Sequence, residues 1–199
     1  MTTKFPEYAL ACRFLQERHI FFTESEFALI RSVTRHVTIP KHTIIMEQGK
    51  PVERLYFVNT GIVRLYRVHN EVDYTLGLVS GNEFVSTTLY LSNGMPSSCA
   101  LETLTEVDAL QWGREEVAVL RKGLHDANKV DMNLIERVMM WGQDNLIDLI
   151  CLTAEERYRK LIAHQPDIIK YVPLKYIASY LNIHQDSLSR IRKLTAQKS

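Results

Sequence analysis

The stretch Val172–Lys193, VPLKYIASYLNIHQDSLSRIRK, constrains this chain more than any other. Leu174, Ile177, Ala178 and Leu181 fall at helical spacing, and Leu188 and Ile191 resume it after a short break. Ala178 is small where two steeply crossing helices must approach. Asn182 suits the left-handed conformation that ends the first helix, and Ile183 carries an apolar side chain into the turn. The second helix sets Gln185, Asp186, Ser189 and Arg190 on its outer side, all able to read base edges; Ser187, Arg192 and Lys193 complete the candidate DNA-binding set. This is the pattern of a helix-turn-helix with its recognition helix at Gln185–Lys193. The plainer alternative is a helical hairpin with a solvated polar face.

Charge is distributed accordingly. The whole chain carries only +1, but from Thr153 onward nine Lys/Arg stand against four Asp/Glu, a net +5. The preceding residues hold fifteen against nineteen, a net −4. A basic tail on an acidic body fits a DNA-binding module attached to a domain with another task.

At 199 residues, 46% of them apolar and 24% charged, the chain can bury a proper core as an ordinary soluble protein. No apolar run approaches the ~20 residues that span a bilayer, and the opening MTTKFPEYALACRF has no signal-peptide apolar region. Cys12, Cys99 and Cys151 are widely separated, giving neither a disulfide framework nor a metal site. A cytoplasmic location, no membrane, no cofactor and no metal are expected, with each cysteine acting as a small buried apolar residue.

Residues 5–35 read as short helices, one capped by Thr23 or Ser25 with Glu24 and Glu26 in its first turn. From Val37 the period shortens to β runs at Thr43–Met46, Leu55–Val58, Ile62–Val68, Tyr74–Val79, Ser98–Leu104 and Val107–Trp112, separated by turn residues. Such even spacing predicts an antiparallel sandwich or roll. Near Gly113 a long helical stretch begins. In it Met132, Ile135, Met139, Gly142, Leu146 and Leu149 follow the a/d spacing of a coiled coil, and Leu134, Val138 and Trp141 form a second stripe beside them. One face can pack on the β domain while the other meets a second copy of the chain. Gly142 costs about 1 kcal/mol relative to Ala in a helix, which a close helix crossing would explain. Thr153 and Glu156 form a capping box that starts a further helix, ended by Gln165-Pro166-Asp167.

In this order of parts, and in the strings IIMEQGKPVERLYFVNTGIVRLYR, TAEERYRKLI and IASYLNIHQDSLSRIRK, the chain resembles the bacterial regulators of the cyclic-AMP receptor protein and fumarate–nitrate reductase regulator (Crp/Fnr) family. The resemblance implies an α+β fold: an N-terminal antiparallel β jelly roll of the cyclic-nucleotide-binding kind, a long dimerisation helix and a C-terminal helix-turn-helix. The corresponding domains are residues 1–125, 126–152 and 153–199. It also implies a homodimer on double-stranded palindromic DNA, with RNA polymerase and a small-molecule effector as further partners. Gly49 and Gly61 stand where the roll of such proteins needs tight turns.

The nucleotide site of that family does not carry over. Members that bind cyclic AMP hold the ribose with a Gly-Glu pair and clamp the phosphate with an Arg followed by Ser or Thr. Here the matching positions are Ser86-Thr87 and Ser97-Ser98, so both charged partners are missing and only a degenerate ligand pocket is expected. Gly81-Asn82-Glu83 lies too far upstream to restore the spacing. Four clustered cysteines for an iron–sulfur centre are also lacking. In the recognition helix His184 replaces the usual Ser or Thr cap, Gln185 stands where relatives often have Arg, and Arg190 matches a base-contacting Arg.

The reading is therefore a homodimeric, sequence-specific transcription regulator. The alternative is a small-molecule sensor whose C-terminal helices bind a protein. A metal-dependent jelly-roll enzyme would need closely spaced histidines, and His36, His42 and His69 do not supply that spacing; no enzymatic activity is expected.

Overall fold

The structure, a computed structural model, describes residues 4–85, Leu91 and 94–196. After a 3-10 turn at Pro6–Tyr8 come α1 (Ala9–Gln16) and α2 (Glu24–Val33). Eight strands follow among the described residues: β1 (Arg35–Ile39), β2 (Ile44–Met46), β3 (Arg54–Thr60), β4 (Ile62–His69), β5 (Val72–Ser80), β6 (Glu83–Val85), β7 (Ala100–Thr103) and β8 (Val107–Gly113). The chain continues through α3 (Arg114–Gly123), α4 (Ala127–Cys151), α5 (Ala154–His164), α6 (Pro166–Tyr171), α7 (Leu174–Tyr180) and α8 (Gln185–Ala196). All strand pairs are antiparallel, in two sheets ordered β1-β8-β3-β6 and β2-β7-β4-β5. The α+β fold predicted from the sequence is the one observed.

Strand alternation decides what each sheet face touches. In the first sheet Phe57 pairs with Phe84 and with Leu110, while Leu55 pairs with Trp112, so these side chains share a face. That face lies under the N-terminal helices: Phe14 of α1 meets Phe57 and Phe84 edge-on, with centroids 5.7 and 5.4 Å apart. The opposite face, with Tyr56, Val58 and Ala109, joins Val63 and Leu101 of the second sheet in the main core. Ile62, Leu78 and Leu104 of the second sheet instead belong to a separate core formed with α5 to α8. Helices, sheet, sheet and helices thus stack in four layers, and β3 buries five consecutive residues, Leu55 to Asn59. Gly49 and Gly61 do make left-handed turns, with φ of +80° and +100°.

Several elements differ from the sequence reading. β1 starts at Arg35, two residues early, and β6 and α6 are additional. The helical stretch after Gly113 is two helices broken at Leu124–Asp126. Cys151 is exposed, unlike buried Cys99 and half-buried Cys12, so it is no core residue.

The long helix α4 lies across the edge strands of both sheets. Arg137 pairs with Glu83 of β6, and Trp141 packs on Gly77 of β5, where a Cβ would come within 2.8 Å of its ring. Beyond that, Asn145 Oδ1 accepts a hydrogen bond from Tyr180 of α7 at 3.0 Å.

The C-terminal helices are seated on the second sheet through Arg64, whose side chain is only 2% exposed. Its guanidinium forks onto Asp73, with both contacts 2.8 Å, donates to Thr75 at 3.2 Å, and lies 2.7 Å from Glu102. It is sandwiched between the rings of Tyr66 (4.2 Å) and Tyr176 (3.8 Å), the latter on α7. Beside it the backbone N–H of Thr75 donates to Ser179 Oγ at 2.8 Å, and Gln165 accepts from Ser80 at 3.2 Å.

At the other end Thr23 caps α2 through a capping box closed by Glu26, whose carboxylate also accepts from the His125 N–H at 2.7 Å and meets its ring at 2.6 Å. These hydrogen bonds, His125's backbone N–H first, hold the Glu26 pKa down to about 2, while the Glu26 carboxylate raises that of His125. The Glu26 contribution is present above its ordinary pKa and is lost as pH falls toward the lowered value. The His125 contribution is present below its ordinary pKa and is lost as pH rises through the raised one.

Two outcomes follow from these contacts. In urea unfolding at about pH 3, 5.5 and 8.5, Glu26→Gln should lose most stability relative to the parent at the middle value, where both contributions are present. Arg64→Met should cost about 3 kcal/mol, the lower end for stripping buried carboxylates of their partner because Asp73 remains partly solvated. Adding Glu102→Gln to that variant should recover part of the loss, as a double-mutant cycle in urea would measure.

Candidate nucleic-acid interface

The C-terminal unit is built from its caps inward. Thr153 accepts from the Glu156 N–H at 3.3 Å while Glu156 Oε2 accepts from the Thr153 N–H at 2.8 Å, the capping box that starts α5. α7 ends at Tyr180, and Asn182 in the turn that follows has a φ of 53°, the left-handed conformation its sequence position demands. The Ile183 N–H then closes the turn on Ala178 O at 3.0 Å. Arg157 of α5 fixes the same turn, donating to Leu181 O at 2.9 Å. Ile177, Ala178, Leu181 and Leu188 are buried together between the helices. With Leu188 fully buried, the geometry of α8 sends its polar residues outward.

Gln185, Asp186, Ser187, Ser189, Arg190 and Lys193 are all exposed, and Arg192 is half-buried, as a residue on the flank of the outer face should be. The structure thus brings six of the seven candidate DNA-binding residues onto open surface. Less of the basic tail is available there than its net charge suggests. Arg157 is engaged at the turn, Arg159 with Glu155, and Lys160 with Asp148.

Of the expected degenerate ligand pocket, Ser86 and Thr87 lie outside the described residues. Ser97 is buried, and its hydroxyl donates to Cys99 O at 2.8 Å. Its backbone is stitched to the Gly49 turn, accepting from Gly49 N–H at 2.7 Å and donating to Lys50 O at 2.9 Å. Ser98 is exposed. The two serines therefore face different surroundings, and Ser97 holds a turn. Glu83 is committed to Arg137 of α4.

On α4, Met132, Met139, Leu146 and Leu149 are exposed, Ile135 is half-buried, and nothing lies within 4 Å of a Cβ at Gly142. Leu134 is buried in the main core and Trp141 sits on Gly77, so part of the second stripe packs on the β domain; Val138 stays exposed. Sequence reading missed Met140, Ile147 and Ile150, which widen the exposed apolar face; the seven-residue step from Met140 to Ile147 was the available signal. No helix among the described residues is long and apolar enough to cross a membrane.

Residues 36–122 match the family model described as the cyclic nucleotide-binding domain. No curated protein matches the chain. Among solved structures, FixK2 from Bradyrhizobium japonicum is similar with a TM-score of 0.72 at 16% identity, over 83% of this chain and 86% of that one. A putative transcriptional regulator of the Crp/Fnr family from Eubacterium rectale gives 0.66 at 16%, over 92% and 87%. The c-di-GMP-responsive global regulator CLP of Xanthomonas campestris gives 0.64 at 16%, over 88% and 93%. Residues 36–122 are thus similar to the cyclic nucleotide-binding domain, and the chain shares the overall fold of these solved regulators, as its sequence resemblance implied.

Proposed function

We propose that the protein is a cytoplasmic, homodimeric, sequence-specific DNA-binding transcription regulator whose roll does not take cyclic AMP. The observation that carries this reading is α8, which buries Leu188 completely while presenting Gln185, Asp186, Ser189 and Arg190 to solvent. A recognition helix enters the major groove with such residues near its N-terminal end. Arg190 would fork onto guanine O6 and N7, and Gln185 would pair with a base edge. Lys193, further along, would meet phosphate, with Arg192 at the flank.

Dimerisation is supported by the exposed apolar face of α4 and by Gly142, for which the single protomer offers no packing reason. A second copy crossing at Gly142 would bury Met139 and Leu146 on both sides of it. Burying one such side chain stabilises by about 1.5–3 kcal/mol, so a few pairs suffice for association. The resulting two-fold axis would place two recognition helices about 34 Å apart on a palindromic site.

The roll lacks the charged clamp for a cyclic phosphate, and buried Ser97 points its hydroxyl at its own backbone. The c-di-GMP-responsive CLP regulator answers to a different nucleotide, so the shared fold does not dictate cyclic AMP. RNA polymerase is the natural further partner of an operator-bound dimer.

The test is selection of bound fragments from random DNA, with and without cyclic AMP; one palindromic motif, unchanged by the nucleotide, is the expected result. Arg190→Ala should cost about 1–3 kcal/mol and flatten preference at one base pair per half-site. Lys193→Ala should weaken all sequences alike and reduce the salt slope by about one unit. If Arg190→Ala left the motif intact while lowering affinity on every sequence, its base-reading role would be lost.

Assembly is checked separately. Ile135→Asp with Met139→Asp would bury like charges at the seam and should give a monomer by sedimentation at micromolar concentration. A double variant that still sedimented as a dimer would place the interface elsewhere.

A further inference from the structure

Where the N-terminal helices, the outer face of the first sheet, α3 and the first turns of α4 converge, their packing leaves a cavity of about 90 Å³ that opens to solvent beside Arg121 and Asp131. Protein interiors are packed closely enough that few voids exceed a water molecule. This one is lined by Phe22, Leu55, Phe84, Trp112 and Leu120 among others, and it lies on the helix side of the sheet, away from Ser97 and the Gly49 turn.

Its polar wall atoms are engaged with one another. Trp112 Nε1 donates to Thr34 Oγ1 at 2.8 Å, and that hydroxyl donates on to Ile30 O at 2.6 Å. The Tyr8 hydroxyl also meets Thr34. Arg121 and Asp131 fork onto each other at 2.7 and 3.2 Å, cancelling their charges. Burial pushes the Cys12 thiol pKa up, so it remains a neutral thiol at physiological pH. A wall of this kind offers an occupant dispersion and apolar burial, and very little else. An apolar cavity of ~150 Å³ takes a whole benzene molecule, so a pocket of this smaller volume, open at its Arg121–Asp131 mouth, has room for part of a ring or a short alkyl chain.

We propose that this pocket is a binding site for a small, neutral, apolar molecule that inserts a short alkyl chain or the methyl-bearing edge of a single ring. The proposal is independent of the DNA-binding reading. The site is nevertheless well placed to matter to it, because Ala127, Val130 and Leu134 of α4 form one wall and Met132 and Ile135 of the same turns face outward.

Toluene is the probe. In a full-length Trp141→Phe variant Trp112 is the sole tryptophan, so its emission reports the cavity directly. Toluene should change that emission saturably and, at ten times its Kd, raise Tm by about 3–6 °C. Ala127→Leu places new methyl groups in the cavity and should weaken binding at least tenfold. Should that variant fail to fold, Leu134→Ala enlarges the cavity and should tighten binding instead. Benzoate, similar in shape but charged, should bind at least tenfold more weakly than toluene. A non-saturable response, equal affinity in Ala127→Leu, no tightening in Leu134→Ala, or benzoate binding as well as toluene would each overturn the assignment.

Discussion

The seating of the C-terminal helices on the second sheet is organised around one buried guanidinium. Arg64 projects from the second sheet into the layer formed by α5 to α8, and its charge is met by carboxylates on both neighbouring strands, Asp73 of β5 and Glu102 of β7. Glu102 reaches it because it is directly opposite in the ladder. Asp73 reaches it because the ladder between β4 and β5 slips by one residue after Leu65, leaving Leu76 unpaired. Without that bulge Tyr74 and Leu76 would occupy the face that Asp73 and Thr75 now share with Arg64. An ammonium could not replace the guanidinium here, because stacking between Tyr66 and Tyr176 needs a planar group and the Asp73 contact needs a fork. Buried ion clusters add little net stability over apolar packing, but they tolerate few alternative arrangements. The cluster therefore specifies where the C-terminal unit docks more than it strengthens the docking.

What was legible in the sequence was what is locally determined. The capping box at Thr153, the left-handed Asn182 and the buried spacing of Ile177, Ala178, Leu181 and Leu188 each depend on residues a few positions apart, and the structure has all of them. The rest is set by partners distant in sequence. β6 was missed because its three residues owe their pairing to β3 and not to any pattern of their own. β3 buries its residues without alternation because helices cover one face and a second sheet the other. The Arg64 cluster combines residues from three strands, a bulge and a helix over 100 positions away, and no spacing rule announces that. Ser97 was legible as a family position, yet its hydroxyl is turned to Cys99 by a local loop geometry that residue type alone does not reveal.

The helix α4 ties these layers to one another. It leaves the helical layer at Ala127, covers the edge strands β6 and β5, and ends beside α7. Covering both edges removes two rows of unpaired backbone groups that would otherwise invite another strand. The same helix carries a broad exposed apolar face, so its two sides have different surroundings. In the proposed dimer, anything that shifts α4 along the β domain also shifts the seam. Trp141 on Gly77 is the contact that resists such a shift, because a side chain at Gly77 would displace the ring.

The charge pattern that first suggested DNA binding acts differently from its face value. A net +5 over the C-terminal residues reads as a general attraction to phosphate, but Arg157, Arg159 and Lys160 are held in internal contacts on α5. Lys170 and Lys175 lie against the rings of Tyr171 and Tyr176. The cations on α8 itself are Arg190, Arg192 and Lys193, with Asp186 opposing them at its first turn. Few phosphate contacts mean a shallow salt dependence and weak non-specific binding. In the proposed regulator, discrimination would then rest on a small set of base contacts in each half-site, doubled by two-fold symmetry. The geometry joining the two half-sites would carry as much of the specificity as the recognition helix itself.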